Sequence, residues 1–179
     1  MDDIAALHLT VCRRFGEAVR AADGKWHRPS PCDAWDARAV LEHVIGFHDV
    51  LLLRPLGYKP ERPTGDPQAR WRLTYDALAT AFESGRATQL DAYRLMPNLT
   101  RDVLVHTWDL ARAVGADDGL DPAWCELFCA GFPEGAQALA ASGMFDAPVP
   151  VGDETDAQAE LLARLGRDPR WEPEISWGR

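Results

Sequence analysis

The stretch RDVLVHTWDLARAVG, residues 101–115, sets Asp102, His106 and Asp109 among valines and leucines. At about 100° per residue the three polar side chains fall within roughly 60° of one another, so they share one side of a helix. Leu99, Val103, Leu110 and Val114 form the apolar stripe of that helix, and His106 falls inside its edge. Burying a lone carboxylate there costs on the order of several kcal/mol, so something must compensate it.

Outward from this stretch, helical periodicity dominates and no segment shows the sustained alternation expected of a sheet, which makes the class all-α. A first helix is expected from Ile4 to Ala22, with Leu7, Val11, Phe15 and Val19 inward, ending before Asp23-Gly24. The loop KWHRPSPCDAW, residues 25–35, leads to a second helix capped by Asp36. That helix carries Val40, Val44, Phe47 and Leu51 inward and stops before Pro55. RPLGYKPERPTGDP, residues 54–67, reads as a rigid connector, and a third helix spans Pro67 to Glu83. The fourth is expected to start at an Asn98 cap and to end at Gly115. A fifth, from Pro122 to Ala141, is expected to kink at Pro133, and a short sixth covers Thr155 to Leu165. Helices one to four have the lengths of a four-helix bundle with the last two packed outside it, within one domain spanning residues 1–179.

The chain carries a formal net charge of -9, a field that repels phosphate backbones, and no basic patch opposes it; nucleic acid is not an expected partner. The N-terminal residues are acidic where a secretory leader is basic, and no apolar run approaches the roughly 18 residues of a membrane span. A cytoplasmic protein is expected. Cys12, Cys32, Cys125 and Cys129 form no C-x-x-C pair and read as small core residues of a reducing compartment. Cys32, near a helix start, has a reactive thiol as its second reading.

On the second helix His43 lies within roughly 60° of Val40, Phe47 and Val50 and points inward, whereas His48 lies about 140° away, toward another helix or solvent. Two readings of the histidines stay open. In one, His43 and His106 are core imidazoles satisfied by carbonyls, Asp102 is a solvated rim residue and Asp109 pairs with Arg112. In the other, His43, Asp102 and His106 hold a divalent metal, with Asp109 orienting an imidazole through its second nitrogen. Two imidazoles and a carboxylate suit zinc with one position open, and also ferrous iron.

These residues also carry a family likeness. SPCDAWDARAVLEHVIG (30–46), RDVLVHTWDLARAVG (101–115) and LLARLGRDPRW (161–171), in this order, resemble the actinobacterial metal-binding proteins of the DinB-like superfamily. Within it they are similar to the N-terminal domain of mycothiol-dependent maleylpyruvate isomerase. The resemblance implies a DinB-like bundle holding zinc or nickel at one end, with His43, Asp102 and His106 at the ligand positions and Asp109 in the W-D-L-A motif. Relatives often have glutamate at the Asp102 position, so His48 is kept as reserve ligand.

For function, the likeness implies a small-molecule enzyme whose metal holds a mycothiol-like thiol as thiolate for S-transfer or isomerisation. A metal-dependent hydrolase and a non-catalytic metal- or ligand-binding protein are the alternatives. Trp35, before the His43 helix, is the tryptophan placed to line a site. Arg101 and Arg112 flank the motif without a catalytic assignment, and pairing through a helix face into a homodimer is a further expectation.

Overall fold

A computed structural model describes residues 3–61, 63–131, 145–152 and 155–173. α1 spans Asp3–Ala21 and buries Val11, Cys12, Phe15 and Val19 along one stripe, together with His8. Its acidic Asp3 and basic Arg20 sit at the ends where the helix dipole favours them. The loop that follows closes on itself through an antiparallel bridge between Pro29 and Asp36. Ser30 N–H donates to the Trp35 carbonyl at 3.1 Å and Ala37 N–H to the Arg28 carbonyl at 2.9 Å. This closure presents Cys32 and Trp35 at the start of the next helix.

α2 spans Ala37–His48, its first turn capped by the Asp36 carboxylate, which accepts from Ala39 N–H at 2.8 Å. The expected α-helical continuation toward Pro55 is instead a π-helical turn, Asp49–Leu53. The wider turn rotates the register: Val50, placed near the inner stripe by a 3.6-residue repeat, is 56% exposed, while Leu52 and Leu53 are fully buried.

α3 spans Pro67–Glu83, as the sequence indicates, with Asp66 accepting from Ala69 N–H. Two 3₁₀ turns, Arg86–Gln89 and Asp91–Leu95, lead into α4, Met96–Val114. α4 begins two residues before the expected Asn98 cap, because Pro97 occupies the first turn, where its missing N–H costs nothing. α5 spans Pro122–Ala130 and α6 spans Ala157–Arg164, capped by Asp121 and Asp156. The expected kink at Pro133 and the sequence up to Ala141 lie outside the described residues.

α4 is the axis of the bundle: it packs against α1 and α2, α3 closes against α1 and α2, and α5 pairs with α6. Fifteen of its nineteen residues are buried, so it is enclosed on every side rather than along one stripe. Trp108 on α4 and Phe15 on α1 are fully buried, each contributing roughly 1.5–3 kcal/mol or more by leaving water. The enclosure has a consequence for chemistry, since Thr100, Arg101, His106, Thr107 and Asp109 are all buried on this helix and need internal partners. Among the described residues there is no β-strand, and no helix is long and apolar enough to cross a membrane.

Candidate metal centre

α2 and α4 bring His43, Asp102 and His106 together. His43 Nε2 lies 3.2 Å from Asp102 Oδ2, and His106 Nε2 lies 3.6 Å from the same oxygen. Zinc bonds of about 2.0–2.2 Å to nitrogen and oxygen in a tetrahedron set donor atoms about 3.3–3.5 Å apart, so both distances to the carboxylate oxygen fit a shared ion, and the three ligand atoms all lie within 4.8 Å of one another. The aspartate reaches both imidazoles although it is one methylene shorter than glutamate. The three side chains grade from half-open to closed, at 36%, 19% and 4% exposure for His43, Asp102 and His106.

His106 is oriented from behind. Its Nδ1 lies 2.8 Å from Asp109 Oδ2, so a proton on Nδ1 donates to the carboxylate and Nε2 is left to face Asp102. Asp109 is fully buried and meets Arg167, whose Nε donates to Oδ1 at 3.0 Å and Nη2 to Oδ2 at 3.2 Å. Arg167 also donates to Cys32 Sγ at 2.7 Å and to the Leu165 carbonyl. The expected Asp109–Arg112 pair is therefore replaced by Asp109–Arg167, and Arg112 turns to Asp118 at 2.6 Å.

Electrostatics follow from these contacts. Burial opposes charge on His106, but Asp102 and Asp109 outweigh it and raise its pKa. Burial likewise opposes ionisation of Asp109 and Asp102; His106 with Arg167 at the first, and His106 with His43 at the second, hold both carboxyls below the usual range. Burial, then Asp109, push the Cys32 thiol far up, so it stays protonated and donates to Asp109 Oδ2 at 3.3 Å. Cys32, His106 and Asp109 also lie close enough to chelate. The Arg167 guanidinium already occupies that group's sulfur and carboxylate, which disfavours a second cation there.

His43 and His106 form one wall of an open cavity of ≈ 220 Å³. Trp35 supplies the adjoining wall, its ring 4.7 Å from the His43 ring and 5.6 Å from that of His106. Phe145, Asp33 and Asp146 complete the mouth. His48 does not join this cluster: it is fully buried on the other side of α2, its Nε2 2.9 Å from His8 Nε2 and 3.9 Å from Cys12 Sγ. Arg101 lies beneath Phe145, its guanidinium 5.6 Å from the ring centre. Sequence reasoning missed Arg167 and His8. Arg167 lies in the quoted C-terminal motif but 58 residues from its partner, and His8 has no chain neighbour of its own kind.

A helical bundle that gathers two imidazoles and a carboxylate, the imidazoles lining an open cavity, defines the class, an all-α protein with a candidate metal centre. The family described as the mycothiol maleylpyruvate isomerase N-terminal domain matches residues 8–111, and the chain belongs to it. Its relatives include two proteins of Mycobacterium tuberculosis, Uncharacterized protein MT0763 of strain CDC 1551 / Oshkosh and Uncharacterized protein Rv0738 of strain ATCC 25618 / H37Rv. Each is 28% identical, over 79% of this chain and 85% of its own length. No solved structure matches the chain significantly.

Proposed function

We propose that this chain is a divalent-metal-dependent enzyme that activates a low-molecular-weight thiol of the mycothiol type for S-transfer to, or isomerisation of, a small electrophile. The single observation that carries the reading is the convergence of His43, Asp102 and His106 on one point, with both imidazoles lining a cavity open to solvent. Zinc, with nickel or iron as alternatives, would be held by these three side chains and would stabilise a bound thiol in its thiolate form. The Asp109 carboxylate keeps the His106 proton on Nδ1, and Arg167 neutralises that carboxylate in turn. Trp35 presents an aromatic face beside the imidazoles, on which the carbon skeleton of a thiol or electrophile packs. Addition of the thiolate to an unsaturated carbon and its later expulsion returns an isomer; expulsion of a different leaving group gives S-transfer.

Hydrolysis asks for a general base as well, and the described carboxylates near the site are engaged or peripheral. Glu42 pairs with Arg38 and Arg70, Asp49 pairs with Arg54, and Asp33 and Asp146 are exposed at the mouth. The thiol reading needs no such base. The test is turnover of zinc-loaded protein with mycothiol and an electrophile, followed by chromatography of the products. A thiol adduct or isomer that disappears in His106→Ala supports the reading. Product formation independent of thiol contradicts it, as does no product from a protein that holds its metal.

A further inference from the structure

On the far side of α2 from the first cluster, His8, Cys12 and His48 form a second group of potential ligands, all fully buried. We propose that these three side chains are a second metal site, built for a thiophilic cation such as zinc or copper(I) and separate from the cavity of the first. The donor set is two nitrogens and one sulfur, the combination that favours soft and borderline cations over magnesium or calcium.

Hydrogen-bond accounting points the same way. Thr100 donates its hydroxyl proton to the Met96 carbonyl at 2.6 Å, so it accepts from His8 Nδ1 at 2.9 Å. That fixes the proton of His8 on Nδ1 and leaves a lone pair on Nε2, aimed at His48 Nε2 only 2.9 Å away. His48 then has two neutral choices. With its proton on Nε2 it donates to His8, but its buried Nδ1 lone pair is left without a hydrogen-bond partner. With its proton on Nδ1, two Nε2 lone pairs oppose each other across 2.9 Å. A cation between the nitrogens removes the opposition at Nε2, since both lone pairs bind it.

The dimensions suit such an ion. Tetrahedral zinc, with bonds of about 2.0 Å to nitrogen and about 2.3 Å to sulfur, sets N···N near 3.3 Å and N···S near 3.6 Å. The nitrogens stand 2.9 Å apart and Cys12 Sγ 3.9 Å from His48 Nε2, each within a few tenths of an ångström of those values, and all three ligand atoms lie within 4.8 Å of one another. Phe47, Phe82 and Trp71 enclose the imidazoles. A cavity of ≈ 230 Å³ between α1 and α3, lined by Cys12, Gly16 and Trp71, borders the cluster on its sulfur side. On binding, the Cys12 S–H bond breaks, a sulfur–metal bond forms and the proton leaves to solvent.

The test uses the full-length His43→Ala/His106→Ala variant, in which the first cluster is dismantled, so its outcome does not depend on the proposed enzyme. After dialysis against chelator, the folded variant is titrated with zinc and, separately, with copper(I) under reducing conditions. One equivalent of either ion is expected, with at least a tenfold loss of affinity in the added Cys12→Ser or His48→Gln variant. No binding of either ion by the folded variant, or binding unchanged by Cys12→Ser, overturns the site. Cobalt loading of the otherwise wild-type protein gives a second readout. A thiolate-to-cobalt absorption band is expected that persists in Cys32→Ser and vanishes in Cys12→Ser; a band indifferent to Cys12→Ser overturns it.

Discussion

His106 Nδ1 lies 2.8 Å from Asp109 Oδ2, three residues further along α4, and this contact decides which nitrogen of His106 faces the candidate metal centre. Both groups are buried, so the contact is not exchanged for water. Removing the carboxylate should therefore have two separable effects. Asp109→Asn keeps the shape but weakens the hold on the His106 tautomer, and zinc affinity at the first cluster is expected to fall by about 10–100-fold. Asp109→Ala also strands the Arg167 guanidinium, and a loss of about 3–5 kcal/mol is expected in denaturant unfolding. Isothermal titration and urea melts on the two variants check these outcomes. Unchanged affinity in Asp109→Asn would mean that the contact does not orient the ring.

Arg167 reaches Asp109 because the chain turns at Gly166, whose φ of +77° lies in the left-handed region. A Cβ there would stand 2.6 Å from Asp146 Cβ and 2.8 Å from the Asp146 carbonyl carbon, so alanine meets backbone as well as conformational strain. Strain alone is about 1–3 kcal/mol. Gly166→Ala is expected to lower Tm by at least about 2 °C and to weaken zinc binding along with it. A variant with wild-type Tm would show that the C-terminal segment does not support the site.

pH dependence follows from the raised pKa of His106, whose charged form is favoured by Asp102 and Asp109 against the cost of burial. In the ion-free protein the folded pKa lies above the unfolded value near 6.5. This histidine therefore stabilises the fold below that pH, and its contribution is lost as pH rises through the folded value. A metal takes the place of that proton, so the sign reverses for the stabilisation that zinc provides. The gain in Tm on adding zinc to the His48→Ala variant should grow as pH rises above about 6.5, with affinity falling about tenfold per unit in the acid direction. A gain independent of pH between 6 and 8 would contradict a ligand role for His106.

Much of this was legible in the chain itself. The helical repeat locates α1 and α3 within a residue, because their caps and breakers are local in sequence. The i, i+4 spacing of Asp102 and His106 is also local and carries straight into the site. What was not legible depends on contacts distant in sequence. The π-helical turn at Asp49–Leu53 arises where Leu52 and Leu53 are drawn into the core, which no periodicity announces. Arg167 meets Asp109 across 58 positions, and His8 meets His48 across 40, so neither pair leaves a mark on any single stretch. His48, held in reserve for the first cluster on angular grounds, belongs with His8 and Cys12 because α1 packs on that side of α2.

The central claim is that His43, Asp102 and His106 share one cation, and the zinc content of two variants after exhaustive dialysis tests it most directly. With the second cluster removed by His48→Ala, close to one equivalent is predicted; adding His106→Ala should bring it to none, with the helical circular dichroism unchanged. Equal zinc in the two folded proteins would contradict the claim.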